Sequence, residues 1–192
     1  LDISMNPLVG FPIFKSKKLW KLDLNECTSL SRYTINSLLR NLPSFPNLKE
    51  LSMGKVGIQG SDMQNLSFPK GLEVLHLPGN SITRVPEGLP DSLSYLDLSK
   101  NNIISNPESQ VKRLPKMLDN LHLADNPGID SIFLRNLAIL LRDCKYIETV
   151  SFTSPGKSFA EEHFIKYLPE NLKSRFRMQL LYDDKSVEVN FT

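Results

Sequence analysis

The chemistry most readily available in this sequence lies in His76, Asp97 and His122, each set between two leucines in Leu75-His76-Leu77, Leu96-Asp97-Leu98 and Leu121-His122-Leu123. Imidazole and carboxylate are common metal ligands and acid–base groups. If the three triplets are neighbouring strands about 4.8 Å apart, the three side chains form one column. The two histidines would then stand about 9.6 Å apart at the backbone. They would have to lean together, and the sequence offers no fourth ligand. The column therefore reads as a polar binding surface, with no metal and no cofactor expected.

Other chemical motifs fail on single residues. There is no complete Gly-rich phosphate loop, Cys-x-x-Cys, Gly-x-Ser-x-Gly or His-Glu-x-x-His. Gly156-Lys157-Ser158 has the look of a phosphate loop's end, but Ser151 stands where its first Gly belongs and Pro155 has no N–H to offer. Cys144 has basic neighbours, yet its place at a helix end near the core suggests a packed thiol. Lys15, Lys17, Lys18 and Lys21 around Trp20 make a modest basic cluster that reads as a solvated loop. No enzyme activity and no catalytic residue is expected.

The elements that position these side chains follow from self-similarity. The spacing Leu-x-x-Leu-x-Leu-x-x-Asn-x-Leu is matched by Leu72-Leu75-Leu77-Asn80-Ile82, by Leu93-Leu96-Leu98-Asn101-Ile103 and by Leu118-Leu121-Leu123-Asn126. Leu48-Leu51-Met53-Val56-Ile58 and Leu19-Leu22-Leu24-Cys27-Leu30 fit with Val or Cys in the Asn slot, and Ile147-Val150-Phe152 is a degenerate copy. Leu1-Ile3-Asn6-Leu8 is the end of the same unit, so Leu1 stands inside a repeat with no leader in view. The units start at 19, 48, 72, 93, 118 and 147. A Leu-x-Leu strand cannot bury its apolar face alone, so the units must stack and share one core. An Asn after each strand can satisfy turn groups of its own and the neighbouring coil.

These residues resemble the leucine-rich repeat family over Leu1 to about Thr153. The resemblance implies an α/β solenoid, curved, with a parallel sheet on the concave face and helices and extended or 3₁₀ segments on the convex face. Leu89-Pro90-x-x-Leu93 and Phe68-Pro69-x-x-Leu72 resemble the repeats of bacterial effectors. The irregular unit lengths and the Cys27 unit are similar instead to cysteine-containing and ribonuclease-inhibitor-like repeats. The mixture resembles effectors of intracellular bacteria, or a eukaryotic cytosolic or receptor protein.

The returning segments differ in character. Tyr33–Leu42, stopped by Pro43, and a stretch capped by Ser131 and running to Leu141 read as helices. Val85–Pro90 is too short and proline-rich for a helix and should be extended or 3₁₀. Residues 1–153 are expected to hold a partial repeat and about six further units, and 154–192 a C-terminal cap. In that cap Ser158 and Glu161 form a capping box, Asn171–Leu181 adds a helical turn or two, and Ser186–Phe191 alternates like a final strand.

Composition narrows the function. The 192 residues are 40% hydrophobic and 23% charged, with a net charge of +2. That balance provides no basic stripe for nucleic acid and no overall pull toward an anionic membrane, and no apolar run suits membrane insertion. Two cysteines without a pairing framework favour a reducing, cytoplasmic compartment, or a host cell's cytoplasm if the chain is a secreted effector. The expected function is protein–protein interaction by a monomer, with no nucleic acid. The expected contact set on the concave face is Asp23, Glu50, Val74, His76, Tyr95, Asp97, Asn120 and His122. The alternative is the substrate-recognition half of a larger enzyme, such as a ubiquitin ligase, whose catalytic domain lies outside this chain. An extracellular ectodomain would predict a leader and cysteine-paired caps, neither of which is in view.

Overall fold

The computed structural model describes residues 1–12, 14–105, 111–173, 177–182 and 185–190. Strands recur at the leucine triplets: β1 (Lys21–Asp23), β2 (Glu50–Ser52), β3 (Val74–His76), β4 (Tyr95–Asp97), β5 (Asn120–His122) and β6 (Thr149–Thr153). The five strands β1 to β5 start one residue before the first triplet leucine and end on the residue between the leucines. With β7 (Arg177–Tyr182) they make a parallel ladder in chain order. The register places Leu22, Leu51, Leu75, Leu96, Leu121 and Val150 in one fully buried line. A bridge from Asp2 to Asp23 carries the ladder back toward the first residues of the chain.

The Asn slot ties each coil to the one before it. Asn80 Oδ1 accepts from the N–H groups of Val56, Gly57 and Ile58, while its Nδ2 donates to the carbonyls of Met53 and Leu77. Asn101 accepts from Ile82 N–H at 2.9 Å and donates to Leu77 and Leu98, each at 3.0 Å. Asn126 does the same with Ile103, Leu98 and Leu123. Cys27, in the same slot, offers one S–H, to the Ile3 carbonyl at 3.2 Å. Asn6 serves its own coil alone: it is exposed and donates to the carbonyls of Ile3 and Ser4.

The returns follow the length of each unit. α1 (Arg32–Arg40) is capped by Ser31, whose side chain accepts from Thr34 N–H, and a 3₁₀ turn at Leu42–Ser44 contains Pro43. α2 (Ser131–Leu140) is capped not by Ser131 but by Asp130, whose carboxylate accepts from the N–H groups of Ile132 and Phe133. A carboxylate satisfies those orphan donors and also complements the positive helix end. The unit starting at 48 returns through a 3₁₀ turn at Gly60–Met63, and Val85–Pro90 forms no helix of either kind.

Beyond β6 come α3 (Lys157–His163), a 3₁₀ turn at Ile165–Tyr167 and α4 (Glu170–Lys173). Ser158 is the second residue of α3 rather than its cap; Gly156 precedes the helix and no side chain caps it. Phe164 closes edge-on against Phe152 with ring centroids 5.1 Å apart. The helical reading of Asn171–Leu181 holds for Asn171–Lys173 in α4 but not for Arg177–Leu181, where Met178 and Leu180 are buried on alternate positions of β7. β8 (Lys185–Asn190) is the expected final strand, but it runs antiparallel to β7. Two residues join them, and a parallel partner needs a crossover of a dozen or more. Phe191 lies outside the described residues. Among the described residues no helix is long and apolar enough to cross a membrane.

Candidate partner-binding face

Because strand side chains alternate, the residues flanking the buried leucine line face the other way, toward the concave surface. The register makes two rows there. One runs Lys21, Glu50, Val74, Tyr95, Asn120, Thr149; the other runs Asp23, Ser52, His76, Asp97, His122, Ser151. Three adjacent strands thus bring Val74, His76, Tyr95, Asp97, Asn120 and His122 together. Asp23 and Glu50 lie on the flank and are already engaged: Asp23 accepts from Asn25 N–H at 3.0 Å, and Glu50 pairs with Lys21 at 2.8 Å.

Tyr95 occupies the middle of this group. Its ring centroid lies 5.1 Å from that of His122 and 6.4 Å from that of His76, both pairs tilted. Two residues on, Asp97 is 7% exposed, and its Oδ2 meets His76 Nδ1 at 3.0 Å while Oδ1 accepts from Ser99 N–H at 2.8 Å. Burial pushes the Asp97 carboxyl up, but the bonds from His76 and Ser99 outweigh it and hold the group below its ordinary value. Asp97 is therefore an ionised anchor that orients His76 and is itself little open to a partner. Burial, and then the Asp97 charge, raise the Tyr95 phenol, which stays a neutral hydroxyl.

His122 Nδ1 lies 3.0 Å from Ser151 Oγ, a contact that belongs to the same row but was not among the expected contact residues. The row itself was the signal for Ser151. This does not make a nucleophilic relay: Ser151 is buried, and the nearby carboxylate is hydrogen-bonded to His76 rather than to His122. Among the described residues no three His, Cys, Asp or Glu side chains converge as a metal site requires. A depression of about 310 Å³ opens beside His76, lined also by Asn25, Gly54, Lys55, Pro78 and Lys100. Gly54 and Pro78, small or short in neighbouring units, are the sequence signal for it.

Burial, the largest influence, holds His122 below its ordinary 6.5, with His76 acting the same way and Asp97 opposing. The unfolded chain then takes up a proton here before the folded one does. Its contribution is complete above pH 6.5 and is lost as pH falls below that value. Urea melts at about pH 7.5 and about pH 5.5 should show wild type losing more stability than His122→Asn across this interval. Equal losses would show that His122 is not the titrating group.

No family model matches the chain. It is 37% identical to Toll-like receptor 8 of Homo sapiens over 94% of its own length, a stretch that makes up 20% of that receptor. It is 34% identical to osteomodulin of Bos taurus over 61% of its length, spanning 27% of that protein. With fibromodulin of Oryctolagus cuniculus the identity is 31%, over 70% of this chain and 88% of that sequence. The chain belongs to the leucine-rich repeat family. The chain thus spans about a quarter of osteomodulin and a fifth of the receptor, while it covers most of the fibromodulin sequence. As a leucine-rich repeat protein it resembles mammalian relatives here, and these lend no support to the expected likeness to bacterial effectors.

Proposed function

We propose that this leucine-rich repeat chain recognises a partner protein through its concave face, with Tyr95 as the central anchor. The observation that carries this reading is the Tyr95 ring held between His76 and His122 on a backbone fixed by the parallel ladder. An aromatic body with a neutral hydroxyl tip suits an interface centre, and a rigid frame loses little ordering entropy on binding. The similarity to a receptor over 94% of the chain favours a recognition segment of that kind over an effector delivered into a host cell or the recognition half of a ubiquitin ligase. Residues 154–192 serve in this reading as the closing cap of the array.

Cross-linking and mass spectrometry with wild type and Tyr95→Ala in parallel identify partners that depend on this face. Calorimetry against such a partner should then show binding weakened about 30-fold or more by Tyr95→Ala, the usual consequence of truncating a central aromatic. Lys112→Ala, at an exposed side chain paired with Glu87 in a return segment, is the control and should leave binding unchanged. If Lys112→Ala abolishes binding and Tyr95→Ala does not, the partner sits on the convex side.

A further inference from the structure

The charge of this protein is nearly balanced overall, but it is not evenly spread. From residue 3 to residue 22 there are four lysines and no acidic residue. Lys21 is committed to Glu50, whereas Lys15, Lys17 and Lys18 are exposed and have no ion-pair partner among the described residues. Beside them Trp20 is 58% exposed, an unusual place for the chain's single tryptophan.

The segment is held in this posture. Phe14 packs edge-on against Phe45 with centroids 5.1 Å apart, and Leu19 packs against the core, so the residues on either side of Lys15, Lys17 and Lys18 face inward. Asn41 Nδ2 donates to the Phe14 carbonyl at 3.1 Å, and Asn47 Nδ2 to the Lys17 carbonyl at 2.6 Å, tying the segment to the next coil. Ser16 Oγ accepts from the N–H groups of Lys18 and Leu19 and fixes the bend between them. Three ammonium groups and an indole are thereby turned outward on a fixed backbone.

We propose that Lys15, Lys17, Lys18 and Trp20 form a peripheral docking surface for a membrane rich in anionic lipid. Lysines on long stems reach phosphate and carboxylate headgroups, and an indole settles at the headgroup boundary, where its apolar body and polar N–H are both satisfied. A single-stranded nucleic acid would call for several aromatic platforms along a groove, and this segment exposes one, Trp20, its Phe14 being packed on Phe45. The surface lies before β1, apart from the Tyr95 face, and the two operate independently.

The test is co-sedimentation of the whole chain with vesicles of phosphatidylcholine alone and of phosphatidylcholine mixed with phosphatidylserine. Three lysines at an anionic surface should favour the mixed vesicles about a hundredfold at low salt, and the preference should collapse as salt shortens the screening length. The combined Lys15→Ala, Lys17→Ala and Lys18→Ala variant should bind both vesicles alike. Trp20→Ala should weaken binding several-fold while keeping the salt dependence, and Tyr95→Ala should leave it unchanged. Equal partitioning of wild type onto both vesicles overturns the proposal, whatever becomes of the variants. So does a single-stranded oligonucleotide that displaces the vesicles through the same three lysines, which would assign the surface to nucleic acid.

Discussion

Leu98→Ala is expected to lower the stability of the fold by about 2–5 kcal/mol, the range for deleting a buried leucine side chain and leaving part of its volume empty. Leu98 is fully buried, next in line after the row that carries His76, Asp97 and His122, between Leu77 and Leu123 of the adjoining coils. Those neighbours are held by backbone hydrogen bonds, Leu77 N–H to the Asp97 carbonyl and Leu123 N–H to that of Ser151, so the space does not close by a local shift. The position is also central in the array, where both faces of the coil are covered, and repeat stability depends on nearest-neighbour interfaces. A urea melt read by circular dichroism measures the loss, with Lys112→Ala, expected within about 0.5 kcal/mol of wild type, as the control. A melt of Leu98→Ala that overlays wild type would mean the register of the repeats is misplaced.

Asn101→Ala removes less volume but should cost about 1–3 kcal/mol, since a buried backbone donor loses its partner outright. The donor is the N–H of the fully buried Ile82, while the Leu77 and Leu98 carbonyls, which Asn101 also meets, keep Asn80 and Asn126 as donors. Asn101→Asp is the instructive companion: the carboxylate can still accept from Ile82 but cannot donate to either carbonyl. Denaturant melts should rank wild type above both variants. If Asn101→Ala melts with wild type, water or a shifted backbone replaces the amide.

The stacked strands and the row holding His76, Asp97 and His122 were legible because alternation and repeat spacing report burial directly, and Leu, Ile and Asn recur at fixed offsets. The C-terminal part was harder. Arg177–Tyr182 carries helix-forming residues such as Met178, Gln179 and Leu180, and only the pairing with β6 decides for a strand. Ser131 and Ser158 have the right type for caps, yet the caps depend on where the backbone turns, and a one-residue difference transferred the first role to Asp130. The turn residue just before the Asn slot left no trace at all. Glu26, Lys55, Gly79, Lys100 and Asp125 share that place and all have positive φ, between 54° and 66°. Most of these types disfavour that conformation, so the stacking of coils imposes it. At the candidate face, residue types located the surface, but that Asp97 is buried and bonded to His76 rather than open to a partner depends on side-chain packing that the sequence does not encode locally.

The amide ladder has a direction. Asn80, Asn101 and Asn126 each reach back to the coil before their own, and none reaches forward. A coil is therefore finished by its successor. Beside the strand ladder, which pairs backbone in both directions, loss of a later coil takes this amide from the turn groups of the coil before it, whereas loss of an earlier coil frees a side-chain amide, which can turn to water. As the chain leaves the ribosome the early coils emerge first, each with open valences on its backbone until the next arrives. In its amide ladder the solenoid is thus a one-way zipper, in which each turn is underwritten by the coil synthesised after it.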